Sequence, residues 1–162
     1  MSRVQLNSSY FDLKSIPVLP AALTTGWMAG QGGAYDPTGV YGQVASGSNA
    51  MGIFMESTAY PWNYQQGVVA TPTGSMVTLI SGTGRLTISH VDEVAAGSAV
   101  RAYSTGSGNP ESAAPNADLW FNASGKLSTT AVSGSTGYYP PFAKLITVPS
   151  AANNYSITIE LR

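Results

Sequence analysis

His90 is the sole histidine of the chain, and Asp92 follows it two residues on. On an extended strand, residues i and i+2 point to the same face. Such a pair sets an imidazole beside a carboxylate, which is one part of a metal site or of an acid–base couple. Either use needs further ligands or a third group. The sequence has no second histidine and no cysteine to supply them. Thiol nucleophiles, thiolate metal sites and disulfide staples are excluded outright. Serine is plentiful, yet no Gly-x-Ser-x-Gly elbow and no Ser-x-x-Lys pair occurs. The carboxylates Asp12, Asp36, Glu56, Asp92, Glu93, Glu111, Asp118 and Glu160 are scattered. A glycosidase needs two of them at a set distance in space, and no spacing nominates a pair. Gly30-Gln31-Gly32-Gly33 lacks the Gly-Lys-Ser/Thr that completes a phosphate cradle, so it reads as a loop. These residues predict solvated charges and turn formers. No enzyme is expected, and no catalytic residue, metal or cofactor.

The aromatic residues are better candidates for binding. Tyr60-Pro61-Trp62-Asn63-Tyr64 forms an aromatic loop, and Tyr138-Tyr139 a second cluster. Trp62, Tyr64, Tyr138 and Tyr139 offer large amphipathic faces to a partner or a sugar. Near the start, Tyr10, Phe11, Leu13 and Ile16 are apolar in a stretch interrupted by Pro17 and Pro20.

Composition narrows the partners. The 162 residues suit one domain with a core of its own. Charged residues are 9% of the chain and the net charge is -1, against about 25% charged in an ordinary soluble domain. No basic face neutralises phosphates, so nucleic acid is not an expected partner. Weak charge favours association, so much of the surface is expected to be covered in use. Disorder fits poorly, because 43% of the residues are hydrophobic and 10% aromatic. The apolar run Ile16–Leu23 is short and broken by prolines, which makes neither a signal peptide nor a membrane span. The chain is therefore expected to be made in the cytoplasm, with no membrane partner. Three N-x-[ST] triplets, at Asn7, Asn122 and Asn154, read as chance matches in a Ser/Thr-rich chain.

The elements that position these residues read as strands. Tyr155–Leu161 alternates strictly, placing Tyr155, Ile157, Ile159 and Leu161 on a buried face. Leu119–Phe121, Gly125–Thr130, Phe142–Val148 and Ala50–Ser57 are further strands. Met76–Ile80 and Arg85–Val91 flank Ser81-Gly82-Thr83-Gly84 and predict a hairpin. Ser104–Pro115 reads as a polar loop with little signal. Together they predict an all-β protein: a small antiparallel β-barrel or sandwich over residues 26–162, with an extended N-terminal arm over residues 1–25. Such an arm adds a strand to a neighbour's sheet edge. The rival reading is a first strand and loop packed on the domain's own core.

Several of these stretches share an order. Gly97–Tyr103 (GSAVRAY), Ala117–Thr130 (ADLWFNASGKLSTT), Phe142–Ile146 (FAKLI), a small-residue turn and Ile157–Leu161 (ITIEL) resemble the capsid decoration proteins of tailed phages, also called cement or head-stabilising proteins. Met51-Gly52-Ile53-Phe54 and Met76-Val77-Thr78-Leu79 are similar to that family's first half. The resemblance covers roughly residues 26 to 162; the Tyr60–Tyr64 insert and the Ser104–Pro115 loop depart from it. It implies a structural virion protein, made in the host cytoplasm, that binds the outer surface of an expanded head as a homotrimer. There it bridges subunits of the major capsid protein, with Tyr10, Phe11, Leu13 and Ile16 on the arm that reaches the lattice. With few charges, the contacts are expected to be apolar and only weakly salt-dependent. The alternative is a carbohydrate- or receptor-binding β domain of a phage fibre or spike, stacking its ligand on Trp62, Tyr64, Tyr138 and Tyr139. A third reading is another structural subunit of a virion or surface layer, such as a tail tube component.

Overall fold

Alternation along the last strand sets the first sheet. The computed structural model describes residues 3–7, 10–18, 28–45, 47–55, 76–89 and 101–162. The strands, in chain order, are β1 Arg3–Leu6, β2 Phe11–Pro17, β3 Gly32–Tyr35, β4 Gly42–Val44, β5 Gly52–Phe54, β6 Met76–Gly82, β7 Gly84–Ser89, β8 Asp118–Phe121, β9 Leu127–Ser128, β10 Ser133–Gly134, β11 Gly137–Tyr138, β12 Ala143–Thr147 and β13 Ile157–Leu161. The described residues hold short 3-10 turns but no α-helix, so none is long and apolar enough to cross a membrane.

β13 lies between β7 and β12 in an antiparallel sheet of order β1-β7-β13-β12-β8-β9. Ile157, Ile159 and Leu161 are buried, as their period of two requires. Thr158 and Glu160 face outward and pair across the strand: Thr158 Oγ1 lies 2.9 Å from Thr87 Oγ1, and Glu160 Oε2 accepts from Arg85 Nε at 2.7 Å. Tyr155 departs from the pattern. Asn154 and Tyr155 both take positive φ, 52° and 57°, as the chain leaves a 3-10 turn at Ala151–Asn153. The Tyr155 ring therefore stacks on the Arg101 guanidinium, 4.2 Å from its centroid, ahead of the strand proper.

The Met76–Ser89 stretch corrects the hairpin expectation. β6 pairs with β2 and β5 in a second sheet of order β2-β6-β5-β3-β4, whereas β7 pairs with β1 and β13 in the first. The two strands form one bent ribbon that passes from sheet to sheet. Its corner is made by Gly82 and Gly84 at φ 91° and 150°. A Cβ on Gly82 would also stand 2.7 Å from the Tyr10 carbonyl oxygen. Positive φ with the partner backbone so near admits only glycine.

A second ribbon follows the first round this corner. β1 pairs with β7 from Arg3↔Ser89 to Leu6↔Leu86, and β2 with β6 from Phe11↔Gly82 to Pro17↔Met76. Between these ladders the register slips by one residue, the signature of a bulge, which bends a strand pair. The expected N-terminal arm is corrected here over residues 3–6 and 11–17, which are outer strands of the chain's own two sheets. The physical reason is hydrogen-bond satisfaction: β6 and β7 carry donors and acceptors along one edge, and the first ribbon meets them. Residues 19–25 of the expected arm lie outside the described residues.

The sheets pack face to face, so the expected barrel or sandwich is a sandwich. Ile53 and Ile80 from the five-stranded sheet meet Leu86, Ile88, Leu145 and Ile159 from the other in one core. Cross-strand pairing puts Ile53 with Ile80 on one face and Phe54 with Leu79 on the opposite face. Phe54, Leu79 and Val77 build a second, smaller cluster with Ile16 and Val18. A parallel bridge between Val18 and Gly42 in β4 draws the two ends of the five-stranded sheet together over that cluster. One bridge curls the sheet without closing it.

Candidate functional site

Asp36, Glu111, Asp118 and Glu160 have structural work. Asp36 closes its turn, accepting from Thr38 Oγ1 at 2.8 Å, Tyr41 N at 3.0 Å and Val40 N at 3.2 Å. Desolvation pushes its pKa up, but hydrogen bonds from the Thr38 side chain and from the backbone of Tyr41, Val40 and Thr38 outweigh it and hold the carboxyl below its ordinary value. Glu160 pairs with Arg85, and Asp118 with Lys144 at 2.8 Å. Among the described residues, no three His, Asp or Glu side chains gather as a metal site would need. His90, Asp92, Glu93 and Glu56 lie outside the described residues.

Glu111 belongs to a buried cluster that sequence reading missed. Tyr103 is fully buried, and its hydroxyl donates to Glu111 Oε1 at 2.9 Å. Burial, and then the Glu111 carboxylate, push the Tyr103 phenol far above its ordinary value of 10.0, with Arg101 opposing. Arg101 is buried too, stacked on Tyr155, and its Nε and Nη1 carry no hydrogen bond. The Ser104–Pro115 loop that brings Glu111 back is well tied. Ser104 Oγ donates to Ser107 O at 2.8 Å, Asn109 Oδ1 accepts from Glu111 N at 2.9 Å, and Pro110 is buried. Gly108, at φ 70°, sits where a Cβ would collide with Ser128 Oγ and Thr130 Oγ1. No periodicity announces such a loop: beyond its local bonds it is tied to the β9 region by Ser104 N donating to Leu127 O at 2.7 Å and Thr129 N donating to Gly108 O at 2.9 Å.

The four apolar residues expected on the arm separate in the structure. Tyr10 is 80% exposed and Leu13 50% exposed. Phe11 is partly buried against the main core. Ile16, at 2% exposure, is a member of the second cluster, so in this fold it fills the interior and offers no contact surface. Period two does not account for the split: Tyr10 shares the parity of Ile16, and Phe11 that of Leu13, while burial along β2 is confined to its two ends.

The aromatic candidates separate as well. Trp62 and Tyr64 lie outside the described residues. Tyr138 is 74% exposed on β11, and Tyr139 is 42% exposed just after it. Tyr139 turns back, with its N donating to Val132 O at 2.9 Å and its O accepting from Trp120 Nε1 at 2.8 Å. These bonds lay the β10–β11 hairpin beside β8 and create a groove of about 250 Å³. Its wall includes Trp120, Val132, Tyr139, Pro140, Phe142 and Arg162. Phe121, buried, meets Phe142 with ring centroids 4.8 Å apart. Asp118 lies beside Arg162, its Oδ1 3.6 Å from Arg162 Nη1. Sequence patterning places Trp120 and Phe142 on strands and does not mark them as groove residues.

Comparison with protein-family models, with curated proteins and with solved structures returns no match to this chain.

Proposed function

We propose that this β-sandwich is a capsid decoration protein that binds the outside of an expanded phage head and bridges major capsid subunits. The observation that carries the proposal is the β1–β2 ribbon. It forms the outer strand of both sheets and presents Tyr10 and Leu13 to solvent. An outer strand is a template for pairing with a neighbouring chain. Exposed apolar side chains beside it add burial at about 25 cal/mol per Å². A chain with 9% charged residues has little else with which to hold a partner. Copies that each touch more than one capsid subunit gain avidity from modest contacts. The protein works by bridging, without chemistry, and its attachment is insensitive to salt because screening acts on charges.

Co-sedimentation of the purified chain with undecorated, expanded heads tests this. Binding should saturate at a fixed number of copies per capsid subunit and persist from low to moderate salt. Tyr10→Ser with Leu13→Ser should weaken it at least about tenfold, the loss of two buried apolar contacts, while the fold is kept. Absence of binding at any salt, or binding that vanishes at moderate salt, would refute the reading.

A further inference from the structure

The groove between β8 and the β10–β11 hairpin mixes two chemistries in its wall. Trp120, Tyr139 and Phe142 supply aromatic surface, and Arg162 supplies a guanidinium. The Trp120 indole N–H is already bonded to the Tyr139 carbonyl, which fixes the ring and leaves its face, not its edge, for a ligand. Arg162 is loosely held. Its Nη1 is 3.6 Å from Asp118 Oδ1, whereas Lys144 Nζ is 2.8 Å from the same oxygen. Arg162 and Lys144 share the Asp118 carboxylate, and Lys144 is the nearer of the two. About 250 Å³ is below the ~300–1,000 Å³ of drug-sized pockets and suits a single small ring. A wholly apolar ligand would desolvate the guanidinium without compensation. A wholly polar one would leave the aromatic faces unused. The complementary ligand is a compact ring with an apolar face and a carboxylate.

We propose that this groove binds a uronic-acid residue of a polysaccharide. The C–H face of the pyranose lies on Trp120 and Tyr139, and the sugar carboxylate accepts from Arg162. Charge-assisted bonds to a planar guanidinium favour a carboxylate over a hydroxyl. The proposal is independent of capsid binding, because β8 and β1 lie on opposite sides of β13 in the sheet order.

The test is a titration of the full 15N-labelled chain with tetragalacturonate and, in parallel, with its neutral counterpart galactotetraose. The Trp120 indole and Tyr139 amide resonances should shift saturably with the acidic sugar at millimolar concentrations or below. The neutral sugar should bind roughly tenfold more weakly, the size of one charge-assisted hydrogen bond. Arg162→Gln should erase that difference while leaving the neutral sugar's affinity unchanged. Tyr139→Ala should weaken both sugars, with the thermal unfolding midpoint checked to exclude loss of fold. Absence of a saturable shift with tetragalacturonate overturns the site. Equal affinity for both sugars, or an Arg162→Gln variant that still prefers the acid, overturns the assignment of a uronic acid.

Discussion

The two sheets bury their residues differently. In the six-stranded sheet, β13 reads buried, half-buried, buried, half-buried, buried, and β8 alternates in the same way. In the five-stranded sheet, all three residues of β5 are buried, as are the first three of β3. The first sheet has one face against the core and one toward water. The second has the main core on one face and the Ile16–Val18–Phe54–Val77–Leu79 cluster on the other. A sheet covered on both faces loses its alternation, and close packing then selects glycine where strands approach neighbouring side chains. A Cβ on Gly33 would lie 2.6 Å from Leu79 Cδ1 and 2.7 Å from Phe54 Cζ, and one on Gly52 would collide with the Ile80 carbonyl oxygen.

Mutations break this contrast most sharply in the doubly covered sheet. Phe54→Ala should destabilise the chain by about 3–5 kcal/mol in urea unfolding, since it empties the centre of the second cluster. Its neighbour in pairing, Leu79→Ala, should act less than additively with it, because the two share one cavity. In the singly covered sheet the effect should depend on parity. Ile159→Ala should lose about 2–5 kcal/mol, whereas Arg85→Ala, removing an exposed pair with Glu160, should change stability by about 0–1 kcal/mol. Equal losses at Ile159 and Arg85 would refute the one-sided burial of β13.

The edge of the six-stranded sheet offers a pH test. Tyr103 is joined to β9 by a bridge to Leu127, and its phenol pKa is raised above the unfolded value of 10.0. The folded state therefore favours the protonated phenol. This stabilisation is complete below pH 10.0 and falls as pH rises above it. Absorbance titration should show one tyrosine that ionises only with unfolding. In Tyr103→Phe that signal should vanish, and the alkaline loss of stability should shrink. A Tyr103 that titrates normally in the folded chain would contradict its burial against Glu111.

Legibility followed the same physics. Ile157, Ile159 and Leu161 were readable because period two survives where one face is wet. The Ser81–Gly84 stretch read as a hairpin turn because glycine and alternation are local signals. Whether a bent ribbon folds on itself or passes to a second sheet depends on which strands satisfy its edges. Those strands, β1 and β2, lie some seventy residues earlier, and nothing local marks them as its partners. Of the candidate groove, Tyr139 was legible as an aromatic surface residue. Trp120, Phe142 and Arg162 join it only through the Trp120–Tyr139 hydrogen bond and the pairing of β8 with β12.

By itself the sequence determined an antiparallel all-β chain, the buried face of its last strand, and a composition poor in charge. Composition and short periodicities are sums over neighbouring residues, and these properties are of that kind. Only the tertiary structure decided that residues 3–6 and 11–17 complete the chain's own sheets, that Ile16 is core while Tyr10 and Leu13 are surface, and that an arginine and an aromatic cluster share one groove. Each of these rests on hydrogen bonds and contacts between residues far apart along the chain, which pairing and packing alone select.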